Sequence, residues 1–194
     1  DDNIIIIYKN EVKIFKVKKK SLEEINTNKT INHHYDIFKI LNNKIFVQKS
    51  YDDKFYIYIY ENSELKEDIN FEIKDIELLY VSAINENEIA IYYNKGEKIY
   101  GQNSFILFYD IKNNKEIKLL KLGNYNYGKQ MTLFNKNNLI VEKNRKLVLI
   151  DPIKKIIKKE FKQERDRSFK KMIILNKDLL LFINNDDYLY EYEV

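Results

Sequence analysis

Four times along the chain an apolar run closes on an asparagine, and a second apolar run follows at once. The closing runs span 38–41, 81–84, 131–134 and 172–175, ahead of Asn42, Asn85, Asn135 and Asn176, at intervals of 43, 50 and 41 residues. Each run is too short for an ordinary globular helix. Asparagine tolerates left-handed backbone and nucleates turns, so each junction reads as two antiparallel strands joined tightly. A repeat of about 40 to 50 residues is the length of one propeller blade.

Each repeat continues in the same way. The second runs are 45–47, 89–93, 139–141 and 179–183, and residues 4–8 after Asn3 form a fifth copy that lacks the first strand. Alternating third strands follow at 12–17, 55–60, 105–111, 147–150 and 188–192, then a more charged fourth segment at 22–25, 65–71, 116–122 and 156–161. Such a unit cannot hide both of its faces alone. Its inner strands are apolar on both sides because neighbouring sheets pack against each face, whereas the outer strand meets water and accepts Lys and Glu.

The expected fold class is therefore all-β: a β-propeller of about five four-stranded antiparallel blades, with incomplete end blades. The units fall at about 1–30, 31–74, 75–124, 125–164 and 165–194 of one domain. Because the first unit lacks strand one and the last lacks strand four, the expectation is either a five-unit ring with an irregular seam or a segment of a larger propeller. The start at Asp1 rather than Met favours the segment. Composition agrees with the strand reading. Tyr and Phe, 16 and 11 of the 194 residues, favour strands, while alanine occurs only as Ala83 and Ala90. With 4 Gly and 1 Pro, Asn and Asp must make the turns.

The third strands end in Tyr60-Glu61, Tyr109-Asp110, Ile150-Asp151 and Tyr190-Glu191, an aromatic or aliphatic residue followed by an acid. This ending resembles the Trp-Asp ending of WD40-type repeats, and Phe108-Tyr109-Asp110-Ile111-Lys112-Asn113 is the nearest copy. The chain has no Trp, no Gly-His dipeptide and no repeated Asp-His-Ser network. The resemblance implies a non-catalytic scaffold for protein–protein interaction and membership of a larger assembly with other protein subunits. Its binding residues are expected in loops. Residues 94–104, the insertion behind the 50-residue interval, read as an elongated hairpin loop with Lys95, Glu97, Lys98 and Tyr100. Residues 123–129 read as a second loop, with Tyr125 and Tyr127.

An alternative partner is an anion, either nucleic-acid backbone or acidic lipid headgroups, met by Lys18, Lys19, Lys20, Lys154, Lys155, Lys158, Lys159, Arg165 and Arg167. The net charge of +4, from 34 basic and 30 acidic residues, is too mild to require one. Lysine on an outer strand is also the usual guard against edge-to-edge pairing. Tyr56, Tyr58 and Tyr60 are expected on one strand face and Phe55, Ile57 and Ile59 on the other, packed between blades.

No enzyme or cofactor is expected. Adjacent His33 and His34 on a strand would point to opposite faces and cannot share a metal. Asp52, Asp53, Asp110, Asp151, Asp186 and Asp187 fall where turn chemistry accounts for them. There is no nucleophile elbow, phosphate loop or zinc spacing. The absence of Cys leads to an expected intracellular, cytoplasmic setting, and no apolar run approaches the roughly 20 residues of a transmembrane helix.

Overall fold

The structure is a computed structural model, and it describes residues 3–8, 11–18, 21–25, 35–41, 44–49, 54–61, 64–96, 103–124, 131–135, 137–143, 146–161, 169–174, 179–184 and 189–193. Among these residues every regular element is a strand, and the strands form five antiparallel sheets whose neighbours are consecutive in the chain. The chain divides into two compact units, Asp1–Lys74 and Asp75–Val194.

The first unit holds two sheets. One consists of β1 (Asn3–Tyr8), β2 (Glu11–Lys18) and β3 (Ser21–Ile25). The other is β4 (Tyr35–Leu41), β5 (Lys44–Lys49), β6 (Lys54–Glu61) and β7 (Glu64–Glu72). Phe46 and Phe55 are fully buried in this second sheet, with the rings of Phe55 and Phe71 stacked at 5.3 Å between centroids. On the opposite face of β6 Tyr58 is also buried and stacks on Tyr56 at 6.4 Å. Both faces of the strand are thus packed, as the alternation of aromatic and aliphatic residues requires.

The second unit holds three sheets. The third sheet of the chain is β8 (Ile76–Ala83), β9 (Glu88–Lys95), β10 (Asn103–Asp110) and β11 (Lys115–Asn124). The fourth is β12 (Met131–Asn135), β13 (Asn138–Lys143), β14 (Lys146–Asp151) and β15 (Ile156–Phe161), and the fifth is β16 (Phe169–Ile174), β17 (Leu179–Asn184) and β18 (Leu189–Glu193). Leu79, Ala90, Tyr92, Ile106, Phe108 and Leu122 of the third sheet form one buried cluster with Met131, Leu139, Val141, Val148 and Ile150 of the fourth. Burying a side chain of the Leu, Ile or Phe class is worth about 1.5 to 3 kcal/mol, so this seam is the main adhesive between the two sheets. The outer strands behave differently. β15 is exposed from Ile156 to Glu160, and β11 is exposed over most of its length.

Two features depart from a plain reading of the repeat. The first strand of the third sheet starts at Ile76, ahead of the apolar run at 81–84, and a register shift between Leu78 and Tyr80 interrupts its alternation. The supposed loop 94–104 is shorter than its sequence implies. Asn94 pairs with Ser104 and Lys95 with Asn103 in the β9–β10 ladder, so both ends of that segment, Lys95 included, are strand. β11 likewise runs through Gly123 to Asn124. Of the four repeated asparagines, Asn85 makes an Asx turn, accepting at Oδ1 from the Asn87 amide at 2.9 Å, and Asn135 ends β12. Asn42 and Asn176 lie outside the described residues.

The third and fourth strands of three successive sheets share an irregularity. Register shifts fall between Ile57 and Tyr58, between Phe108 and Tyr109, and between Leu149 and Ile150. Each leaves an extra residue on the outer strand, a bulge that increases local twist and bends the edge away from straight pairing.

Candidate interaction surface

Four residues form a polar row across one end of the third sheet. Glu77, Asn94, Ser104 and Gly123 stand in register on the four successive strands. Asn94 and Ser104 are fully buried. Ser104 Oγ donates to Asn94 Oδ1 at 2.6 Å, and the Asn94 amide nitrogen donates to Glu77 Oε2 at 3.1 Å. Only this orientation of the amide satisfies both neighbours, since a carboxylate accepts and cannot donate. The Asn124 carbonyl lies 3.3 Å from the same serine hydroxyl and shares its single proton.

This row has a positional consequence. Asn94 and Ser104 are the roots of the segment carrying Glu97, Lys98 and Tyr100, and Gly123 and Asn124 are the root of the segment carrying Tyr125 and Tyr127. Ser104 therefore ties together the bases of the two loops nominated from sequence. Gly123 has φ of +119°, and Gly96, at the end of the β9 ladder, has φ of +124°, a backbone that side chains rarely adopt. Gly123 lies within β11 beside the register shift between Ser104 and Phe105, and Gly96 directly follows the last residue of β9. Lys95 is exposed at the end of β9, whereas Glu97, Lys98, Tyr100, Tyr125 and Tyr127 lie outside the described residues.

At the other end of the sheets, the acids of the repeated third-strand ending cap turns. Asp110 accepts from the Asn113 side-chain amide at 2.7 Å and the Asn113 backbone amide at 3.0 Å, and these bonds hold its carboxyl below the ordinary value. Asp151 accepts at Oδ1 from the amides of Lys154 at 2.8 Å and Ile153 at 2.9 Å, with the same direction of shift, led by Lys154. Each turn then passes through left-handed backbone, at Asn114 (φ 51°) and Lys155 (φ 55°). The acid is thus a structural cap, and the two equivalent turns are built alike.

The nominated cations are dispersed among different partners. Lys18 pairs with Glu23 across β2 and β3. Lys155 Nζ stands 2.9 Å from Glu88 Oε1 as an ion-pair partner rather than an aligned hydrogen-bond donor, and lies 5.4 Å from the centroid of the Phe108 ring. Lys158 donates to Asn138 Oδ1 at 2.8 Å, and Lys159 lies 4.5 Å from the Phe161 ring centroid. Lys154 is exposed. Lys19, Lys20, Arg165 and Arg167 are outside the described residues, as are His33 and His34. Among the described residues no group of three or more His, Cys, Asp or Glu could hold a metal, and no helix is long and apolar enough to cross a membrane.

The polar row escaped sequence reading because its members are 10 and 17 residues apart and belong to no motif. The only sequence signal was an Asn and a Ser symmetrically bracketing an insertion.

No protein family's sequence profile matches the chain, and no curated protein is similar to it in sequence. Solved structures do resemble its fold. A structure of YCF48 bound to D1 peptide superposes with a TM-score of 0.67 at 11% identity, covering 99% of this chain and 60% of that one. The C-terminal WD40 domain of Sif2 superposes with a TM-score of 0.65 at 9% identity, covering 100% of this chain and 55% of that one. The fold is that of WD40-like β-propeller repeats, and the chain spans little more than half the length of these two propellers.

Proposed function

We propose that the chain is a non-catalytic scaffold that binds other proteins through the two loops rooted on Asn94, Ser104 and Asn124. The observation that carries this reading is the serine hydroxyl shared between Asn94 Oδ1 and the Asn124 carbonyl. A buried, mutually satisfied polar row fixes the bases of two tyrosine-bearing loops, and loops held on a rigid scaffold are where binding residues concentrate. Tyrosine suits the task, combining a large apolar ring with a hydroxyl and few rotatable bonds. The YCF48 structure carries a bound peptide, which is consistent with peptide recognition on this fold. We place the protein in a larger intracellular assembly on the same analogy.

The test is affinity purification from native cells, comparing the natural chain with the Tyr100→Ala, Tyr125→Ala, Tyr127→Ala variant. Stoichiometric recovery of a protein partner by the natural chain, reduced about tenfold or more by the variant, is the expected result. No stoichiometric partner from a folded natural chain would remove the reading. The anion-binding alternative has less support, because Lys18 and Lys155 already face carboxylates. Steep loss of nucleic-acid or liposome binding with added salt would favour it instead.

A further inference from the structure

The turn that closes the fourth sheet carries apolar side chains for which the fold has no use. Ile153 is 65% exposed, Ile156 48% and Ile157 39%, all within five residues of chain. The equivalent turn of the third sheet is an internal control. Asp110 pairs with Lys115 as Asp151 pairs with Ile156, and Tyr109 pairs with Glu116 as Ile150 pairs with Ile157. At the positions of Ile153, Ile156 and Ile157 the third sheet therefore has Lys112, Lys115 and Glu116, all exposed. The same capped turn, with left-handed backbone at the equivalent position, folds with charged residues there.

The turn is also unusually fixed for a surface loop. Asp151 Oδ1 holds the amides of Ile153 and Lys154, and the Lys155 amide donates to the Asp151 carbonyl at 2.8 Å. Lys155 Nζ reaches back to the carbonyls of Pro152 at 3.3 Å and Ile153 at 3.4 Å, while standing beside Glu88 of the third sheet. Pro152 is buried. Ile153 is thus presented on a backbone with little freedom left to lose, the condition under which an exposed side chain makes an efficient anchor. Ile117 and Leu119 of β11 are exposed too, but neither sits on a turn locked this way.

Charge specifies the partner. Along residues 151–161, setting aside the pairs Lys143 with Glu160 and Lys155 with Glu88, the cations of Lys154, Lys158 and Lys159 outnumber the carboxylate of Asp151. Lys158 and Lys159 engage an amide oxygen and a ring, neither of which cancels their charge. The bulge at the β15 edge disfavours plain addition of another strand, so recognition must come from side chains.

We propose that Ile153, Ile156 and Ile157 anchor an acidic protein segment that crosses the β15 edge, where Ile156 and Ile157 meet it from the two faces of the strand, with its apolar side chains between Asp and Glu residues and Lys154 and Lys158 on the rim. This rests on the scaffold reading but uses the opposite end of the sheets from the tyrosine loops. Exposed apolar patches rimmed by charge mark such interfaces, and complementary charge selects among partners.

The test is fluorescence polarisation of a labelled synthetic peptide with Leu residues spaced among Asp and Glu. Three comparisons accompany it: the peptide with Leu replaced by Ser, the peptide with its acids replaced by Lys, and vesicles of phosphatidylserine and phosphatidylcholine. Expected are saturable binding of the first peptide, at roughly 10 to 100 μM, and about tenfold or greater weakening in both comparison peptides. The variant Ile153→Lys, Ile156→Lys, Ile157→Glu, which installs the third sheet's own residues, loses the binding. Ile153→Ser, Ile156→Ser, Ile157→Ser loses it too without altering charge, and Lys154→Gln, Lys158→Gln weakens it and flattens its salt dependence. Unchanged urea midpoints show that the variants fold. Binding that survives both isoleucine variants, or binding to the vesicles without binding to the peptide, overturns the proposal. A wild type that ignores the peptide yet still recovers a partner through the tyrosine loops overturns it while the scaffold reading stands. Failure to recover any partner removes the scaffold reading, whatever the peptide does.

Discussion

The hydroxyl of Tyr92, on β9, donates to the backbone carbonyl oxygen of Glu142, on β13, at 2.8 Å across the seam between the third and fourth sheets. Tyr92 is fully buried, and its ring belongs to the apolar cluster that joins the two sheets. One side chain therefore contributes both to the non-directional adhesion of the seam and to its polar registration. Tyr92→Phe keeps the ring and deletes the donor. The expected cost is about 1 to 2 kcal/mol, the usual consequence of removing one partner from a buried hydrogen bond. A lowered urea midpoint with an unchanged denaturant slope would register it. An unchanged midpoint would mean that this hydrogen bond adds nothing to the stability of the seam.

The same seam predicts how stability varies at alkaline pH. Burial, and secondarily the charge of Glu142, pushes the Tyr92 hydroxyl far above its ordinary value. Burial and then Glu116 push Tyr93 up to about 12. For both, the folded state prefers the protonated phenol more strongly than the unfolded chain does. Their contribution is complete below the unfolded value, about 10, and is lost as pH rises through and beyond it. Urea midpoints measured at about pH 9 and pH 11 should fall between the two, and Tyr92→Phe should flatten the fall. Phenolate absorbance should appear for the exposed tyrosines first.

Much of this architecture was legible in the sequence because strand periodicity is local. The apolar runs, the charged outer strands at 116–122 and 156–161, and the turn at Asn85 are decided by residues within a few positions of each other. What was illegible depends on partners across the sheet. Asn94 and Ser104 look like loop residues until each is seen to satisfy the other across the ladder. Ile156 and Ile157 are adjacent, so strand alternation would turn one of them inward, yet both are exposed on the outer strand. Lys155 looks like one cation of a basic run, although it is tied to Glu88, which lies 67 positions earlier in the numbering.

Ser104→Ala should separate the loop roots. It strips the donor from Asn94 Oδ1 in a fully buried setting, where an unsatisfied acceptor costs about 1 to 3 kcal/mol. The loss should be local as well as global: hydrogen exchange at the amides of residues 94, 95, 103 and 104 should accelerate more than exchange in β13 or β14. Glu77→Gln retains an acceptor for the Asn94 amide and should cost less. Equal acceleration throughout the unit would mean that the polar row does not specifically order this end of the sheet.

The Glu88 and Lys155 pair sets the fourth sheet's closing turn against the third sheet, and a double-mutant cycle with Glu88→Gln and Lys155→Met isolates it. Both side chains are about 15% exposed, at 14% and 15%, so water screens the pair less than it screens Lys18 with Glu23, where both exceed half exposure. A coupling of about 1 kcal/mol is expected at low salt, the upper end of the range for accessible pairs. Lys155→Met should cost more than Glu88→Gln, because the ammonium also binds the carbonyls of Pro152 and Ile153 and lies over Phe108. It should also leave a side chain with no compensation for left-handed backbone at φ 55°. Urea midpoints of the four proteins yield the coupling. A value indistinguishable from zero would show that the turn is held by its Asp151 cap and not by the ion pair, and Asp151→Ala should then produce the larger loss.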